Sequence, residues 1–133
     1  MQFRITFSEI EGLIRSKTGK ELPLLYGGPH TIRISYHVPL MGAVGIDVNV
    51  ERITGSDIYL SYSGGKPVEM MLRTAFSHFK NQPGADMLHL LDGNQILFAL
   101  GKNPRTAMLF EHIILQDIHF DEHAVIVDFV PKG

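Results

Sequence analysis

The chain contains no cysteine. This absence excludes thiol catalysis, cysteine-ligated zinc or iron–sulfur centres, and a disulfide scaffold. A hydrophobic core must therefore stabilise the 133 residues. A globular chain of this length buries about two-thirds of the surface that its unfolded form exposes, which is enough for a fold without covalent or metal cross-links.

Basic clusters and long apolar runs are missing as well. The chain has 12 Lys and Arg residues against 14 Asp and Glu residues. Because nucleic-acid binding needs a concentrated basic face, we expect no nucleic-acid partner. The first ten residues alternate polar and apolar side chains and lack the apolar run of a signal peptide, so we expect a cytoplasmic protein with no membrane span. No repeat or linker is visible, and residues 1–133 are predicted to form a single domain.

Period-two alternation of apolar and polar residues predicts most of the secondary structure. In residues 31–38, for example, Ile32, Ile34 and Tyr36 share one face of a strand, and polar side chains occupy the other. Such alternation indicates antiparallel sheets with one buried face. Strands are predicted at residues 1–7, 31–38, 46–51, 57–62, 87–91, 95–100, 113–120 and 124–130, whereas residues 19–29 are predicted to be irregular.

Two longer helices are predicted at three- and four-residue apolar spacings, and a third, short helix is predicted at residues 104–110. The first begins at Ser8, which has a glutamate three residues later in the spacing of a capping box, and ends at Gly19. The second begins at Pro67 and ends at Lys80, with a broad apolar stripe. The predicted fold class is α+β, with a curved antiparallel sheet wrapped on one long amphipathic helix and a second, N-terminal helix.

The order of elements in the C-terminal half supports a comparison with a known family. A helix at 67–80 is followed by a strand, the turn Asp92-Gly93-Asn94, a second strand, a short helix and a final pair of strands. This order resembles the tubular lipid-binding superfamily, that is, bactericidal/permeability-increasing-like proteins and their small bacterial relatives. The resemblance implies a groove between helix and sheet that takes acyl chains, and pairing of modules.

The predicted function is non-enzymatic binding of an apolar small molecule or lipid in this groove. The chain is too short for a long tunnel, so a groove, or a site completed by a second copy, is expected. The alternative is a structural or protein-interaction module with a packed core and no ligand. Because the edges of a sheet need protection, we expect a homodimer in either case. The residues predicted to bind the ligand are Val68, Met71, Leu72, Ala75, Phe76, Phe79, Tyr36 and Leu60.

The sequence contains few motifs that indicate catalysis or metal binding. Neither Gly-x-Ser-x-Gly nor a cysteine nucleophile is present, so we predict no enzymatic activity and no cofactor. His119 and His123 flank a tight turn, where they could share a metal ion with a carboxylate as third ligand. The competing interpretation is a polar turn in solvent. Because no spacing such as His-Glu-x-x-His occurs, no metal is predicted.

Overall fold

In the computed structural model, residues 1–40, 42–64, 68–70, 72–74, 77, 87–91, 93–102 and 104–132 are described. They contain the following strands and main helix: β1 (Gln2–Thr6), α1 (Phe7–Thr18), β2 (Leu24–Gly28), β3 (Thr31–Val38), β4 (Gly42–Thr54), β5 (Asp57–Ser63), β6 (Leu88–Leu90), β7 (Gln95–Ala99), β8 (Ile113–Phe120) and β9 (Ala124–Pro131). Three short helical turns precede β8, at Leu100–Lys102, Pro104–Ala107 and Leu109–Glu111.

The strands form two antiparallel sheets. One has three strands in the order β1-β9-β8, and the other has six in the order β2-β3-β4-β5-β7-β6. The predicted antiparallel pairing is confirmed, including the strand pairs at β6–β7 and β8–β9. Helices in the described part of the chain are all too short and too polar to cross a bilayer.

The N-terminal helix is present, but its predicted start at Ser8 is wrong. Thr6 is the N-cap, with extended backbone angles, and its hydroxyl accepts a hydrogen bond from the backbone N–H of Glu9. The Glu9 carboxylate in turn accepts one from the Thr6 backbone N–H, which completes a capping box. Gly19 ends the helix as predicted, with a left-handed φ of 72°.

Two apolar clusters lie on one face of the six-stranded sheet. In the first, Phe7 of α1 and Phe120 of the three-stranded sheet pack against Leu24 and Ile32. In the second, the fully buried Val68 packs with Ile46, Tyr62 and Ile96, and Leu72, Leu60, Val44, Val48, Leu88 and Leu90 lie around them. The first cluster joins sheet to sheet, and the second joins a helical segment to the sheet.

The predicted fold class is wrong. The strands divide into two sheets, because β9 pairs with β1 and the last two strands do not extend the larger sheet. Part of the larger sheet is thus covered by an apolar face of the smaller sheet. The prediction had placed a helix there. A long amphipathic helix is absent from the described residues, in which α1 with 12 residues is the longest helix. Of the predicted helix at 67–80, helical residues are described at 68–70, 72–74 and 77.

Candidate functional site

An open cavity of about 400 Å³, called here the apolar pocket, lies on the apolar face of the three-stranded sheet. The helical turns between Leu100 and Glu111 cover it from the other side. Its lining side chains are all apolar: Phe3, Leu100, Leu109, Phe110, Ile113, Leu115, Val127 and Phe129.

Strand register brings the sheet residues of the pocket together. Phe3 pairs with Val127, and Leu115 pairs with Phe129, so these side chains project from one face of neighbouring strands. A β-bulge between Leu115 and Asp117 shifts the register of β8 by one residue. The apolar positions of β8 change from odd to even residue numbers at this point. The extra residue of the bulge compensates for that change, so the apolar side chains stay on the same face along the whole strand.

The apolar pocket is open to solvent at its rim. Phe3 is 55% exposed and Leu109 is 53% exposed, although both are large apolar side chains. Backbone hydrogen bonds fix the covering segment at both ends: the N–H of Leu100 donates to the carbonyl of Ser56 at 3.1 Å, and the N–H of Lys132 donates to the carbonyl of His112 at 2.7 Å. The pocket is therefore a preformed concavity between a sheet and an anchored segment.

Those predicted ligand-binding residues that the structure describes do not line the apolar pocket. Val68, Leu72 and Leu60 belong to the second apolar cluster, on the six-stranded sheet. The Tyr36 hydroxyl is 3.3 Å from the Lys20 ammonium, which donates a hydrogen bond to it. Met71, Ala75, Phe76 and Phe79 lie outside the residues whose side chains the structure describes.

A polar cluster occupies the opposite face of the three-stranded sheet. Asp117 and Asp128 are directly opposite each other in the register of β8 and β9, and His119 lies two residues beyond Asp117. The His119 Nδ1 atom is 3.1 Å from Asp117 Oδ2 and 3.4 Å from Asp128 Oδ2. All three side chains are partly buried, and they offer ligand atoms within 4.8 Å of one another.

Two neighbours contact the outer oxygens of these carboxylates. The Gln2 side-chain amide donates to Asp128 Oδ1 at 2.9 Å, and His30 Nε2 lies 3.6 Å from Asp117 Oδ1. His30 and Asp117 also line an open polar cavity of about 270 Å³ between β4 and β8. This space leaves solvent access to the cluster from the side of Asp117.

His119 and its two carboxylate neighbours thus offer three metal-ligand atoms, whereas His123 does not belong to this group. His123 lies in the β8–β9 turn, where its backbone N–H donates to Asp121 Oδ1 at 2.8 Å. That hydrogen bond holds the pKa of Asp121 below its ordinary value. The same hydrogen bond links two positions of the turn between β8 and β9.

Sequence reasoning missed both the apolar pocket and Asp128. A signal for the bulge was present in β8, where Ile113 and Leu115 alternate in one phase and Ile118 and Phe120 in the other. A change of phase within a strand marks a bulge, which moves Asp117 and His119 to the face opposite Leu115. The pairing of β9 with β1 had no comparable signal.

Comparison of the chain with protein-family models, curated proteins and solved structures gave no match. None of these comparisons bears on the resemblance to the tubular lipid-binding superfamily, which stays a prediction.

Proposed function

We propose that this protein is a non-enzymatic binding domain that takes an apolar small molecule, or the acyl chain of a lipid, in the apolar pocket. The observation that carries the proposal is a preformed cavity of about 400 Å³ whose lining is entirely apolar. Pockets for small ligands span about 300–1,000 Å³ and are lined mainly by apolar side chains. A ligand of this class would remove the exposed parts of Phe3 and Leu109 from water.

The ligand class is the one expected from the sequence, but the site is different. The sequence places it against the helix at 67–80, whereas the apolar pocket lies on the smaller sheet, next to the helical turns before β8. The superfamily resemblance also implies an acyl ligand, and it is consistent with this proposal at the level of chemistry. The proposal itself depends on the shape and lining of the pocket.

A fluorescent fatty acid tests the proposal. The probe is 11-(dansylamino)undecanoic acid, titrated into the purified protein, which contains no tryptophan that would contribute to the signal. We expect saturable binding to the natural chain. We expect weaker binding to the Leu109→Gln variant, because that substitution introduces a polar amide at the pocket wall.

The matched control is Leu13→Gln, on α1. Leu13 and Leu109 are both 53% exposed, but Leu13 does not line the pocket. Both variants thus lose a similar exposed leucine, and only one loses it from the pocket. Equal probe affinity of the two variants, or no saturable binding by the natural chain, contradicts the proposal.

The second candidate function is that of a protein-interaction module, in the form of a homodimer. The observation that favours it is a set of exposed apolar side chains in the pocket lining or close to it in sequence, at the start of the chain, on edge strand β1 and in the covering segment: Met1, Phe3, Met108 and Leu109. Burial of this rim in a second copy would protect both the apolar surface and the edge of the sheet. Sedimentation equilibrium tests it: a dimer that Phe3→Gln dissociates supports the interaction module, and a monomer at all concentrations excludes it.

A further inference from the structure

We infer that the polar face of the three-stranded sheet holds a divalent cation, with Zn²⁺ as the best match, through Asp117, His119 and Asp128. One imidazole nitrogen and two carboxylate oxygens converge there from two neighbouring strands. Zinc binds both ligand types, and nitrogen ligation separates this site from those that suit Mg²⁺ or Ca²⁺.

The spacing of the ligand atoms fits tetrahedral coordination. Bond lengths of about 2.0–2.1 Å to nitrogen and oxygen separate two tetrahedral ligands by about 3.3–3.4 Å. His119 Nδ1 lies 3.1 Å from Asp117 Oδ2 and 3.4 Å from Asp128 Oδ2. These two distances match the tetrahedral spacing to within about 0.3 Å, and all three ligand atoms lie within 4.8 Å of one another.

Electrostatics also favours a cation at this point. Asp117 and Asp128 are cross-strand partners in the register, and like charges directly opposite each other destabilise a sheet. The single Nδ1 atom of His119 faces both carboxylates but can donate only one proton. A divalent cation would satisfy both carboxylates and use the Nδ1 lone pair.

The outer contacts complete the arrangement of a metal site. Each carboxylate turns one oxygen towards His119 and has its other oxygen contacted by a neighbouring residue, Gln2 for Asp128 and His30 for Asp117. Such outer contacts orient the ligands of metal sites. Asp117 also lines the open polar cavity, and a zinc ion with three protein ligands takes a water molecule in its fourth position.

This inference does not depend on the proposed function. The metal site and the apolar pocket lie on opposite faces of the same sheet, because the bulge in β8 separates Leu115 from Asp117. Either proposal, the metal site or the ligand in the apolar pocket, can be refuted without affecting the other. Binding of Zn²⁺ is measured without the fluorescent fatty acid, so the two failures are distinguishable.

Calorimetric titration of ZnCl₂ into chelator-treated protein tests the inference, with excess Mg²⁺ present. The titration is run at about pH 7.5, because protons compete with the metal for the imidazole at lower pH. We expect one Zn²⁺ per chain. His119→Gln should lower the affinity by more than the roughly 10–100-fold that loss of an outer contact costs. The matched control is His123→Gln, which removes the other histidine of this strand pair from the exposed turn and should leave the affinity unchanged. Absence of saturable binding, displacement by Mg²⁺, or equal loss in both variants would overturn the inference.

The thermal stability of a variant at Asp128, the ligand on β9, tests the site independently. In the presence of chelator, Asp128→Asn should raise the thermal midpoint, because it removes one of two opposed charges. Addition of Zn²⁺ should raise the midpoint of the natural chain by mass action and leave that of Asp128→Asn nearly unchanged. An equal Zn²⁺-induced shift in both proteins would show that Asp128 is not a ligand and would overturn the site.

Discussion

Substitution of Gly64 by alanine should destabilise the protein through one identifiable conflict. A Cβ atom built on Gly64 would lie 2.6 Å from Cγ2 of Val68, closer than real Cβ contacts allow. Val68 is fully buried in the second apolar cluster and cannot turn into solvent. Overpacking of this kind costs about 1–3 kcal/mol.

The reciprocal change removes the obstructing atom. Val68→Ala deletes two buried methyl groups, each worth about 0.8 kcal/mol in transfer free energy, and leaves a cavity, for a total cost of about 2–3 kcal/mol. In the double variant, the nearest remaining side-chain atom would be the Cβ of residue 68, at 3.1 Å. The double variant should therefore be about 1–2 kcal/mol more stable than the sum of the two single effects predicts.

Urea denaturation of the four proteins measures this coupling, with the free energy of unfolding extrapolated to water. Gly12→Ala is a matched control, since a Cβ added at Gly12 meets nothing within 4 Å. Additivity of the Gly64 and Val68 effects to within about 0.5 kcal/mol would refute the contact, because distant and independent sites behave in that way.

Three further predictions concern α1. Gly12→Ala should stabilise the protein by about 0.5–1 kcal/mol, measured in urea, because glycine inside a helix costs conformational entropy. Gly19→Ala should destabilise it by about 1 kcal/mol in the same assay, because the residue has a left-handed φ of 72°. The backbone N–H of Thr6 donates a hydrogen bond to the Glu9 carboxylate and lowers the pKa of this carboxyl. The stability that the ionised carboxylate contributes is therefore present above the unfolded-state pKa and is lost as the pH falls through the folded-state pKa. Urea midpoints of the natural chain and Glu9→Gln should therefore differ at neutral pH and converge in acid, and a difference that does not change with pH would contradict this.

Local pattern predicts most of the strands. β3 lies at residues 31–38 as predicted, and the β8–β9 pair forms around Asp121-Glu122-His123, because an alternating strand buries one face whatever its partner. β2 was not predicted. Its sequence Leu24–Gly28 contains two glycines, which weaken a strand, and it is held by pairing with β3.

Long-range pairing explains why the fold class was wrong. β1 and β9 lie at opposite ends of the chain, and their pairing creates the second sheet. Nothing in the local alternation of either strand specifies its neighbour, because period two sets the face of a side chain and not its partner strand. The prediction of a single sheet covered by a helix was therefore one of the topologies that fit the same local alternation, and the sequence does not distinguish between them.

The same limit applies to the candidate site. The spacing of His119 and His123 allows a shared metal ion, but the sequence predicts none. Asp117 and Asp128 come to lie opposite each other, near His119, through the register between β8 and β9. The apolar pocket combines Phe3, near one end of the chain, with Phe129, near the other. Sequence periodicity assigns each of these residues to a buried face, and only the topology shows that the face is incompletely covered.

The most direct test of the apolar pocket is an NMR titration of the methyl-labelled protein with dodecanoate. The pocket and the second apolar cluster both contain leucine and valine methyl groups, so the spectrum distinguishes the two locations. We predict saturable shifts and intermolecular contacts at Leu109, Leu115 and Val127, with Val68 and Leu72 unchanged. Shifts confined to Val68 and Leu72, or no saturable shift at any methyl group, would contradict the proposed site.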